Sequence, residues 1–568
     1  SLSFKKICLT CINICLNKNI VFKMKKITIL IISLALLLLS SHLFSQQSFG
    51  GLPISFTNKS LSTNIDRIVL PQPDMQLIME EDMLDEKNGE MYKVGRIIPV
   101  ALSPANSGTW DILEDGTKVW RLQISCKDAK SLTLLYSRFN LPEGSQYYLY
   151  NDNHKQLLGF YDNRTNPVKS ERFSTRMVQG ETTHLELVLP PNISTEDVIL
   201  EIEGAVYNYR GVDHMISYYQ DEKETGFGES GACNVNINCP EGDNWQTEKK
   251  GVAEIFIIDG MSAGWCSGTL VNNTANDGTP YFLTADHCGG DVSAGDFAQW
   301  QFYFNFESSN CSNPGTEPAY QTVTGCTFCS RGPQSGGTDF LLIELSTTEA
   351  NIATINGYYN GWDRTTVASS AGVCIHHPSG DIKKISTYTT TLSIVTYSGC
   401  LANSHWHAVW ADTETSWGIT EGGSSGSPLF KGSNKLVVGT ETGGASSCGC
   451  PAANAWDEYG MFSQHWEANG TADNRRLKPW LDPGDTGATT CPGYDPNTAG
   501  DAPVADFVGN PTTVAVGGTV DFTDLSTNTP TSWSWTFDGG TPGISTAQNP
   551  SIQYNTAGTY DVTLVATN

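Results

Sequence analysis

The stretch G-G-S-S-G-S-P at Gly422–Pro428 is the most informative part of this 568-residue chain. Glycines on both sides of Ser425 allow a tight turn, from which the serine hydroxyl can face a cleft. The same turn places the backbone N–H groups of Gly423 and Ser425 where they can bind a developing negative charge. The stretch therefore predicts a nucleophilic serine with its own oxyanion hole.

Two further motifs place a histidine and an aspartate before Ser425. Y-F-L-T-A-D-H-C-G-G (Tyr281–Gly290) carries His287 at the end of an apolar strand, and G-T-D-F-L-L-I-E-L (Gly337–Leu345) begins a buried strand with Asp339. A serine hydroxyl needs a base within hydrogen-bond reach, and the base needs a carboxylate to orient it. The order His, Asp, Ser is the chymotrypsin order. The sequence therefore predicts a serine endopeptidase with His287, Asp339 and Ser425 as its triad.

Asp286, directly before His287, is the alternative carboxylate. Adjacent residues of an extended segment point to opposite sides, which turns Asp286 away from the face that His287 uses. In addition, no strand follows Asp286 that would bury it. We therefore favour Asp339 as the partner of His287.

The chain is strongly acidic, with 60 Asp and Glu residues against 34 Lys and Arg residues and a formal net charge of −26. This balance argues against nucleic acid and anionic membranes as partners. No cofactor and no metal are expected. Two close histidine pairs occur, His376 with His377 and His405 with His407, and packing explains them better than zinc because no third ligand has a suggestive spacing.

The N-terminal segment predicts export. Met24 begins M-K-K-I-T-I-L-I-I-S-L-A-L-L-L-L-S-S-H-L-F-S-Q, in which two lysines precede an apolar run and small residues. We interpret residues 24–45 as a signal peptide, which implies a secreted, extracellular or cell-surface protein. The apolar run is short for a spanning helix, so no membrane association is expected after signal removal. Residues 1–23 do not begin with Met and are interpreted as upstream sequence translated in frame.

Residues 46–223 show short β-like segments and few catalytic groups. We interpret them as a propeptide that assists folding and blocks the cleft; an ordinary accessory domain is the alternative. Lys223 is the last basic residue before Cys233, which predicts self-cleavage after Lys223. Ser424 stands where chymotrypsin-like zymogens carry an aspartate, so a new N-terminal amine has no ion-pair partner there. Removal of the propeptide should therefore activate the protein.

Residues 224–494 have an all-β pattern whose length suits two packed barrels. Residues 495–501 read as a linker. Residues 502–568 carry V-D-F-T-D, S-W-S-W-T-F-D-G-G and N-P-S-I-Q-Y-N-T-A-G-T-Y-D-V-T-L, which resemble a PKD domain, an immunoglobulin-like sandwich that is expected to be truncated here. Trp533 and Trp535 share one strand face and are expected to pack in its core.

A set of motifs between residues 231 and 487 resembles the lysyl endopeptidases, which are secreted bacterial trypsin-like proteases. The motifs are C-N-V-N-I-N-C-P-E-G-D (Cys233–Asp243), G-T-L-V-N-N-T-A-N-D (Gly268–Asp277), Y-F-L-T-A-D-H-C, G-W-D-R (Gly361–Arg364), I-H-H-P (Ile375–Pro378), E-G-G-S-S-G-S-P and W-L-D-P-G-D-T-G (Trp480–Gly487). The resemblance implies a chymotrypsin/trypsin-like two-barrel domain. The expected fold class is thus all-β, with a β-rich propeptide before that domain and a PKD sandwich after it.

The resemblance also implies how substrate is chosen. Trypsin-like pockets carry an aspartate six residues before the nucleophile, where this chain has Ile419. In the lysyl endopeptidases the acidic floor follows the nucleophile, and the matching residue is Asp457, with Glu458 as a possible substitute. A buried carboxylate there would pair with a Lys ammonium or an Arg guanidinium.

The pocket wall departs from the family pattern. The family carries a Trp and a His there, at positions that match Tyr397 and Thr442, and Gly443 is assigned to the same wall. The changed wall could admit arginine, so cleavage after basic residues is expected, with a preference for Lys over Arg. Two alternatives remain: a serine endopeptidase of other specificity, such as glutamyl, and a non-catalytic adhesin with the protease fold.

The expected partners are proteins or peptides with basic residues, bound by a monomer. The PKD-like module would be a spacer or would hold extracellular protein or polysaccharide. The cysteines from Cys233 to Cys491 are even in number, which implies disulfides. The family resemblance implies the pairs Cys233–Cys448, Cys239–Cys311 and Cys266–Cys288. Six cysteines have no family counterpart, and among them Cys374–Cys400 is the favoured pair: Cys326, Cys329, Cys374, Cys400, Cys450 and Cys491.

Overall fold

The computed structural model describes residues 49–166, 172–211, 230–498, 503–527, 530 and 532–567. Contacts divide the chain into two units, one within residues 42–496 and one that includes residues 497–568. Strands dominate both units, and the all-β fold class is confirmed. The signal-peptide segment and Lys223 lie outside the described residues.

The N-terminal region, residues 49–211, contains a 6-stranded sheet with a hydrophobic core of its own. In spatial order the strands are Asp66–Leu70, Lys118–Cys126, Thr182–Leu189, Gln146–Tyr150 and Leu157–Tyr161, and Thr109–Ile112 also pairs with Lys118–Cys126. The pairing of Asp66–Leu70 with Lys118–Cys126 is parallel. Trp120, Leu122 and Leu185 are buried in this core.

One α-helix, Met75–Asn88, interrupts the strands of the N-terminal region. Asp74 caps its first turn, because its side chain accepts hydrogen bonds from the backbone N–H groups of Gln76 and Leu77. Gly89 ends the helix at φ 73°, in the left-handed conformation that glycine adopts without strain. The strand-like pattern of the sequence does not predict this helix.

A 12-stranded sheet joins the N-terminal region to the central region, residues 230–496. Its main path runs through Gln321–Thr324, Gln301–Phe304, Val252–Asp259, Ser262–Leu270, Tyr92–Leu102, Ile199–Asn208, Ser131–Asn140 and Phe173–Ser174. Tyr281–Thr284 pairs with both Ser262–Leu270 and Phe340–Leu345, while Cys326–Gly332 pairs with Phe340–Leu345 and Val178–Gln179 with Ser131–Asn140. The strands of residues 252–345 in this sheet are called the first barrel below, and those of the 10-stranded sheet the second barrel. Tyr92–Leu102 lies antiparallel to Ser262–Leu270, so the N-terminal region extends the first barrel by strand addition.

The second half of the central region is a 10-stranded sheet. Its path is Val235–Asn236, Lys384–Tyr388, Gly372–His376, Pro428–Lys431, Val437–Gly444, Trp456–Met461, His405–Val409 and Ser393–Val395, with Trp362–Asp363 and Thr490–Cys491 paired beside it. Four short α-helices lie between the strands of the central region: Ala294–Phe297, Glu349–Thr354, Phe462–His465 and Lys478–Leu481. Single 3-10 turns occur at Ile54–Phe56, Thr195–Asp197, Pro240–Trp245, Glu248–Gly251, Asp286–Cys288, Pro378–Gly380, Ala452–Asn454 and Asp473–Arg475.

The structure contains the three disulfides that the family resemblance implied: Cys233–Cys448, Cys239–Cys311 and Cys266–Cys288. The expected pairing of Cys374 with Cys400 is wrong, because both thiols are free. Cys374 lies inside the second barrel with its Sγ 3.1 Å from Ser427 Oγ, whereas the Cys400 thiol donates to the carbonyl oxygen of Gln334.

The C-terminal unit consists of two small sheets. One contains Phe507–Asn510, Gly518–Asp524, Ser551–Tyr554 and Gly540–Thr541; the other contains Ile544–Ser545, Ser532–Phe537 and Val562–Thr567. Trp535 is fully buried, and Trp533 packs against the same core, as their shared strand face predicted. None of the helices in the described part of the chain is long and apolar enough to cross a membrane.

Candidate active site

Two neighbouring strands bring His287 and Asp339 together. His287 follows the strand Tyr281–Thr284, Asp339 precedes the strand Phe340–Leu345, and these two strands are paired antiparallel. His287 Nδ1 lies 2.8 Å from Asp339 Oδ2, and the backbone N–H of His287 donates to Asp339 Oδ1 at 3.0 Å. The two side chains are 2% and 0% exposed. The carboxylate therefore fixes both the ring and the backbone of His287.

The pair shifts the ionisation of both residues. Burial by itself lowers the pKa of His287, but the Asp339 carboxylate outweighs it and raises that pKa to about 9. Burial opposes the charge of Asp339, yet His287 holds the pKa of this carboxyl below its usual value. The arrangement thus stabilises an imidazolium, which is the form that a general base takes after it accepts a proton.

Asp286 does not contact the His287 ring through its carboxylate. Arg331 forms an ion pair with the Asp286 carboxylate, with Nε 2.5 Å from Oδ1. The backbone N–H of Gln334 donates to Asp286 Oδ2 at 3.0 Å. Asp286 is 5% exposed, which corrects the expectation that nothing would bury it. The strand Cys326–Gly332, distant in sequence, carries Arg331 to this carboxylate.

The serine turn packs against the strand that leads to His287. Gly423 and Gly426 have φ values of +95° and +81°, which favour glycine. A Cβ at Gly426 would lie 2.1 Å from Thr284 Oγ1, so any side chain there would displace the turn. The carbonyl oxygen of Ser425 accepts the backbone N–H of Ser267 at 2.8 Å. These contacts fix Ser425 beside the end of the first barrel.

The backbone N–H groups of Gly423 and Ser425 donate to no acceptor among the described residues, whereas that of Ser424 donates to the carbonyl oxygen of Glu421 at 2.9 Å. Two free backbone N–H donors on one turn are what an oxyanion hole requires. Cys288 Sγ lies 3.6 Å from the Ser425 carbonyl oxygen, which sets this turn next to His287. Within the part of the chain that is described, Ser425 Oγ and His287 Nε2 form no hydrogen bond with each other.

Buried histidines brace the site. His376 Nδ1 lies 2.7 Å from Ser424 Oγ, and His376 Nε2 lies 2.9 Å from Ser386 Oγ. Burial lowers the pKa of His376 to about 3, so this contact is uncharged at neutral pH. His377 is buried and contacts the backbone of Asp381. No cluster of metal-binding side chains occurs among the residues that the structure covers.

Asp457 is buried and accepts hydrogen bonds from residues that precede and follow the serine turn in sequence. Its Oδ2 accepts hydrogen bonds from Trp410 Nε1 at 2.5 Å, Thr420 Oγ1 at 2.6 Å and Ser446 Oγ at 2.6 Å. Burial raises the pKa of Asp457, and these donors oppose the rise. Glu458 lies on the opposite strand face, 3.6 Å from His407. Asp457 is therefore the better placed of the two for a pocket floor.

The assigned wall residues meet around His405. The Tyr397 ring stacks on His405 with centroids 5.5 Å apart, and His405 Nε2 lies 3.2 Å from Thr442 Oγ1. A Cβ on Gly443 would lie 2.9 Å from the Tyr397 hydroxyl. The sequence analysis assigned His405 to packing and did not predict its contacts with Tyr397 and Thr442. The H-W-H motif that contains His405 was the only sequence feature that pointed to it.

Residues 227–460 match the family model of the lysyl endopeptidase C-terminal domain, and residues 500–568 match that of the PKD domain. Residues 227–460 are therefore similar to the C-terminal domain of the lysyl endopeptidases. A lysyl endopeptidase from Pseudomonas aeruginosa is 30% identical over 301 residues, which cover 50% of this chain and 60% of that protein. The chain thus matches three-fifths of that relative's length.

Two solved structures are similar to part of this chain. Protease Anisep from Arthrobacter nicotinovorans is 18% identical, with 39% of this chain and 91% of that chain covered and a TM-score of 0.27. The thermostable serine protease AL20 from an extremophilic microorganism is 14% identical, with 38% and 92% covered and a TM-score of 0.27.

The N-terminal region reaches the candidate active site directly after the helix Met75–Asn88. Gln334 Nε2 donates to the carbonyl oxygen of Gly89 at 3.2 Å, and a Cβ on Gly89 would lie 3.5 Å from the Tyr397 hydroxyl. Glu90 lines a cavity of about 260 Å³ together with His287. The chain after the helix therefore borders both the pocket wall and the candidate base.

Met91 and Tyr92 make further contacts with the central region. Met91 is buried in the core of the first barrel. A Cβ on Gly422 would lie 2.7 Å from the ring of Tyr92, next to the candidate oxyanion hole. Tyr92 is also the first residue paired with the strand of Cys266, opposite Trp265. Residues 89–92 thus lie beside the Ser425 turn and beside the cavity that His287 lines.

Proposed function

We propose that the chain is a secreted serine endopeptidase that hydrolyses peptide bonds on the carboxyl side of basic residues, Lys and also Arg. The observation that carries this proposal is the 2.8 Å contact between His287 Nδ1 and Asp339 Oδ2, beside the two free N–H groups of the Ser425 turn. The similarity of residues 227–460 to the C-terminal domain of the lysyl endopeptidases supports it.

The residues of the site suffice for acyl transfer. Ser425 Oγ attacks the scissile carbonyl while His287 Nε2 takes the hydroxyl proton, and Asp339 stabilises the imidazolium. The N–H groups of Gly423 and Ser425 stabilise the tetrahedral oxyanion, each by about 3 kcal/mol. His287 then protonates the leaving amine, and an acyl-enzyme remains. Water, activated by His287, hydrolyses the ester and restores Ser425, without a cofactor.

Asp457 would bind the charged end of the basic residue before the scissile bond. Its buried carboxylate is supported by three donors and opposes an acidic substrate side chain, which argues against glutamyl specificity. A non-catalytic adhesin would have no need of paired free N–H groups beside a His–Asp contact. Tyr397, Thr442 and Gly443 would form the pocket wall. His405, which contacts Tyr397 and Thr442, is opposite Gly460 and therefore lies on the strand face away from Asp457.

A covalent serine-directed probe tests the catalytic proposal. The matured protein should be labelled at Ser425, and the Ser425→Ala variant should not be labelled. Ser427→Ala is the matched control, because Ser427 lies on the same turn and contacts Cys374 instead of the candidate base. Absence of labelling in the matured wild-type protein would favour the adhesin.

The pH profile should report the His287 pKa of about 9. Only the neutral imidazole can accept the Ser425 proton, so kcat/KM should rise about tenfold per pH unit below that pKa and level off above it. The measurement is kcat/KM against pH with one Lys-containing peptide. A profile that is already level at pH 7 would contradict the Asp339-induced shift.

The N-terminal region would keep the protein latent as a propeptide. Residues 89–92 border the pocket wall, the oxyanion hole and the base, and strand addition by Tyr92–Leu102 holds them there. Ser230 Oγ already donates to Asp381 at 2.6 Å and the Gly231 N–H to Glu421, so cleavage upstream need not create these contacts. Unblocking of the cleft, rather than a new N-terminal ion pair, would be the activating event.

Cleavage after Lys223 is the proposed maturation step. The Lys223→Gln chain should remain unprocessed and should react with the serine-directed probe at least about 100-fold more slowly than matured protein, because the cleft stays covered. Lys59→Gln, a change at an exposed N-terminal lysine, should mature normally. A mature N-terminus upstream of residue 215 or inside the catalytic core would contradict the assignment.

A secreted protein agrees with the three disulfides, which persist in oxidising compartments. The PKD domain would act as a spacer or bind extracellular protein or polysaccharide. We propose that the matured protein acts as a monomer on protein and peptide substrates.

A further inference from the structure

A second buried carboxylate, Glu441, lies near Asp457 and has no role in the catalytic steps proposed above. Glu441 is 3% exposed. Among the residues that the structure describes, none donates a hydrogen bond to its carboxylate, and none forms an ion pair with it. An unpaired carboxylate in so buried a position would gain from a cationic partner.

Strand geometry places Glu441 on the same sheet face as Asp457. Glu441 is directly opposite Tyr459, and directly opposed side chains share one face. Asp457 precedes Tyr459 by two residues on one strand and therefore points to that face as well. Thr440 points to the other face, where its Oγ1 lies 3.0 Å from His465 Nε2.

The backbone of Glu441 is bound to the serine turn. The N–H of Gly426 donates to the Glu441 carbonyl oxygen, and the N–H of Glu441 donates to the Ser427 carbonyl oxygen, both at 2.9 Å. Glu441 thus connects the turn of Ser425 to the strand of Asp457. These two backbone hydrogen bonds fix the position of Glu441 relative to the Ser425 turn.

Asp457 has little remaining capacity to bind a cation by itself. Three donors already occupy its Oδ2, and the Ser446 N–H approaches Oδ1 at 3.4 Å. An ammonium carries three N–H donors and a guanidinium five, so either has donors for a second carboxylate. Burial and the charge of Asp457 raise the pKa of Glu441 well above its usual range. A cation between the two carboxylates would offset the repulsion from Asp457.

We propose that Glu441 and Asp457 together form a two-carboxylate site for the charged end of a basic substrate side chain, with Glu441 as a further specificity-determining residue. The inference rests on the proposed function and deepens it. Asp457 would bind the cation through Oδ1 at the floor, and Glu441 would bind it from the adjoining strand.

Paired substrates test the assignment. Two peptides that differ only in Lys or its uncharged analogue norleucine before the scissile bond are compared by kcat/KM in matured protein. Glu441→Gln should lower the Lys-to-norleucine ratio by about 30-fold, the size expected for one charged hydrogen bond. Glu254→Gln is the matched control, because Glu254 is a buried first-barrel carboxylate whose Oε1 also lacks a partner. Its ratio should equal that of the wild type.

A purely structural Glu441 would lower both kcat/KM values equally and leave the ratio unchanged. An unchanged Lys-to-norleucine ratio in Glu441→Gln would overturn the inference. If Asp457→Asn loses that ratio in the same experiment, the proposed function remains intact. Absence of serine-dependent cleavage after Lys in the wild type would instead overturn the proposed function. If Glu441→Gln fails to mature, Glu441→Asp takes its place: a severalfold lower ratio supports the assignment, and an unchanged ratio overturns it.

Discussion

Asp339→Asn should lower kcat by about 10⁴-fold in matured protein, because an asparagine amide holds the His287 ring in the wrong tautomer. The carboxylate accepts both the ring N–H and the backbone N–H of His287, so a change of charge acts on the base directly. Steady-state hydrolysis of a Lys-containing peptide measures the effect. Substrate binding should change far less than kcat, since Asp339 is fully buried behind His287.

Asp286→Asn is the matched control for that experiment. Asp286 neighbours His287 in sequence and is buried, but its carboxylate binds Arg331 and Gln334. We expect a loss of stability from the weakened ion pair and no comparable loss of kcat. A larger loss of kcat in Asp286→Asn than in Asp339→Asn would show that the wrong carboxylate had been assigned to the base.

Asp457→Asn should lower kcat/KM for Lys and Arg substrates by about 10³-fold, because a buried cation would lose its charged partner. The amide nearly preserves the shape of the side chain, so the Trp410, Thr420 and Ser446 contacts limit structural change. Peptides with an uncharged residue before the scissile bond should be affected much less. Comparison of the two peptide classes separates a pocket effect from a general loss of activity.

Glu458→Gln controls for charge near the pocket. Glu458 is adjacent to Asp457 but points to the other face of the strand, toward His407. Its loss should change kcat/KM for basic substrates by less than about threefold, as for a partly exposed ion pair. Unchanged cleavage after Lys in Asp457→Asn, together with a large loss in Glu458→Gln, would show that Glu458 forms the pocket floor.

Local pattern predicted much of the first barrel. Tyr281–Thr284 and Phe340–Leu345 are short apolar runs with polar ends, and each forms a strand with those bounds. Because His287 and Asp339 adjoin these strands, the pairing of the strands brings the two residues together. The glycines around Ser425 likewise indicate a turn that other residues could not form.

Features that depend on distant segments were not predictable in this way. Asp286 is buried by Arg331, which a strand some forty residues later supplies. Residues 89–92 reach the site because Tyr92–Leu102 pairs with Ser262–Leu270, and no local pattern specifies which edge accepts a strand. The helix Met75–Asn88 has cap residues at Asp74 and Gly89 but exposes several apolar side chains, so helical periodicity is weak there.

Cleavage-site mapping on a mixed peptide library tests the central claim most directly, with matured wild-type protein compared against Ser425→Ala. We predict cleavage on the carboxyl side of Lys and Arg in the wild type and none in the variant. Cleavage after uncharged or acidic residues would contradict the role of Asp457, and cleavage that persists in Ser425→Ala would contradict the assignment of the nucleophile.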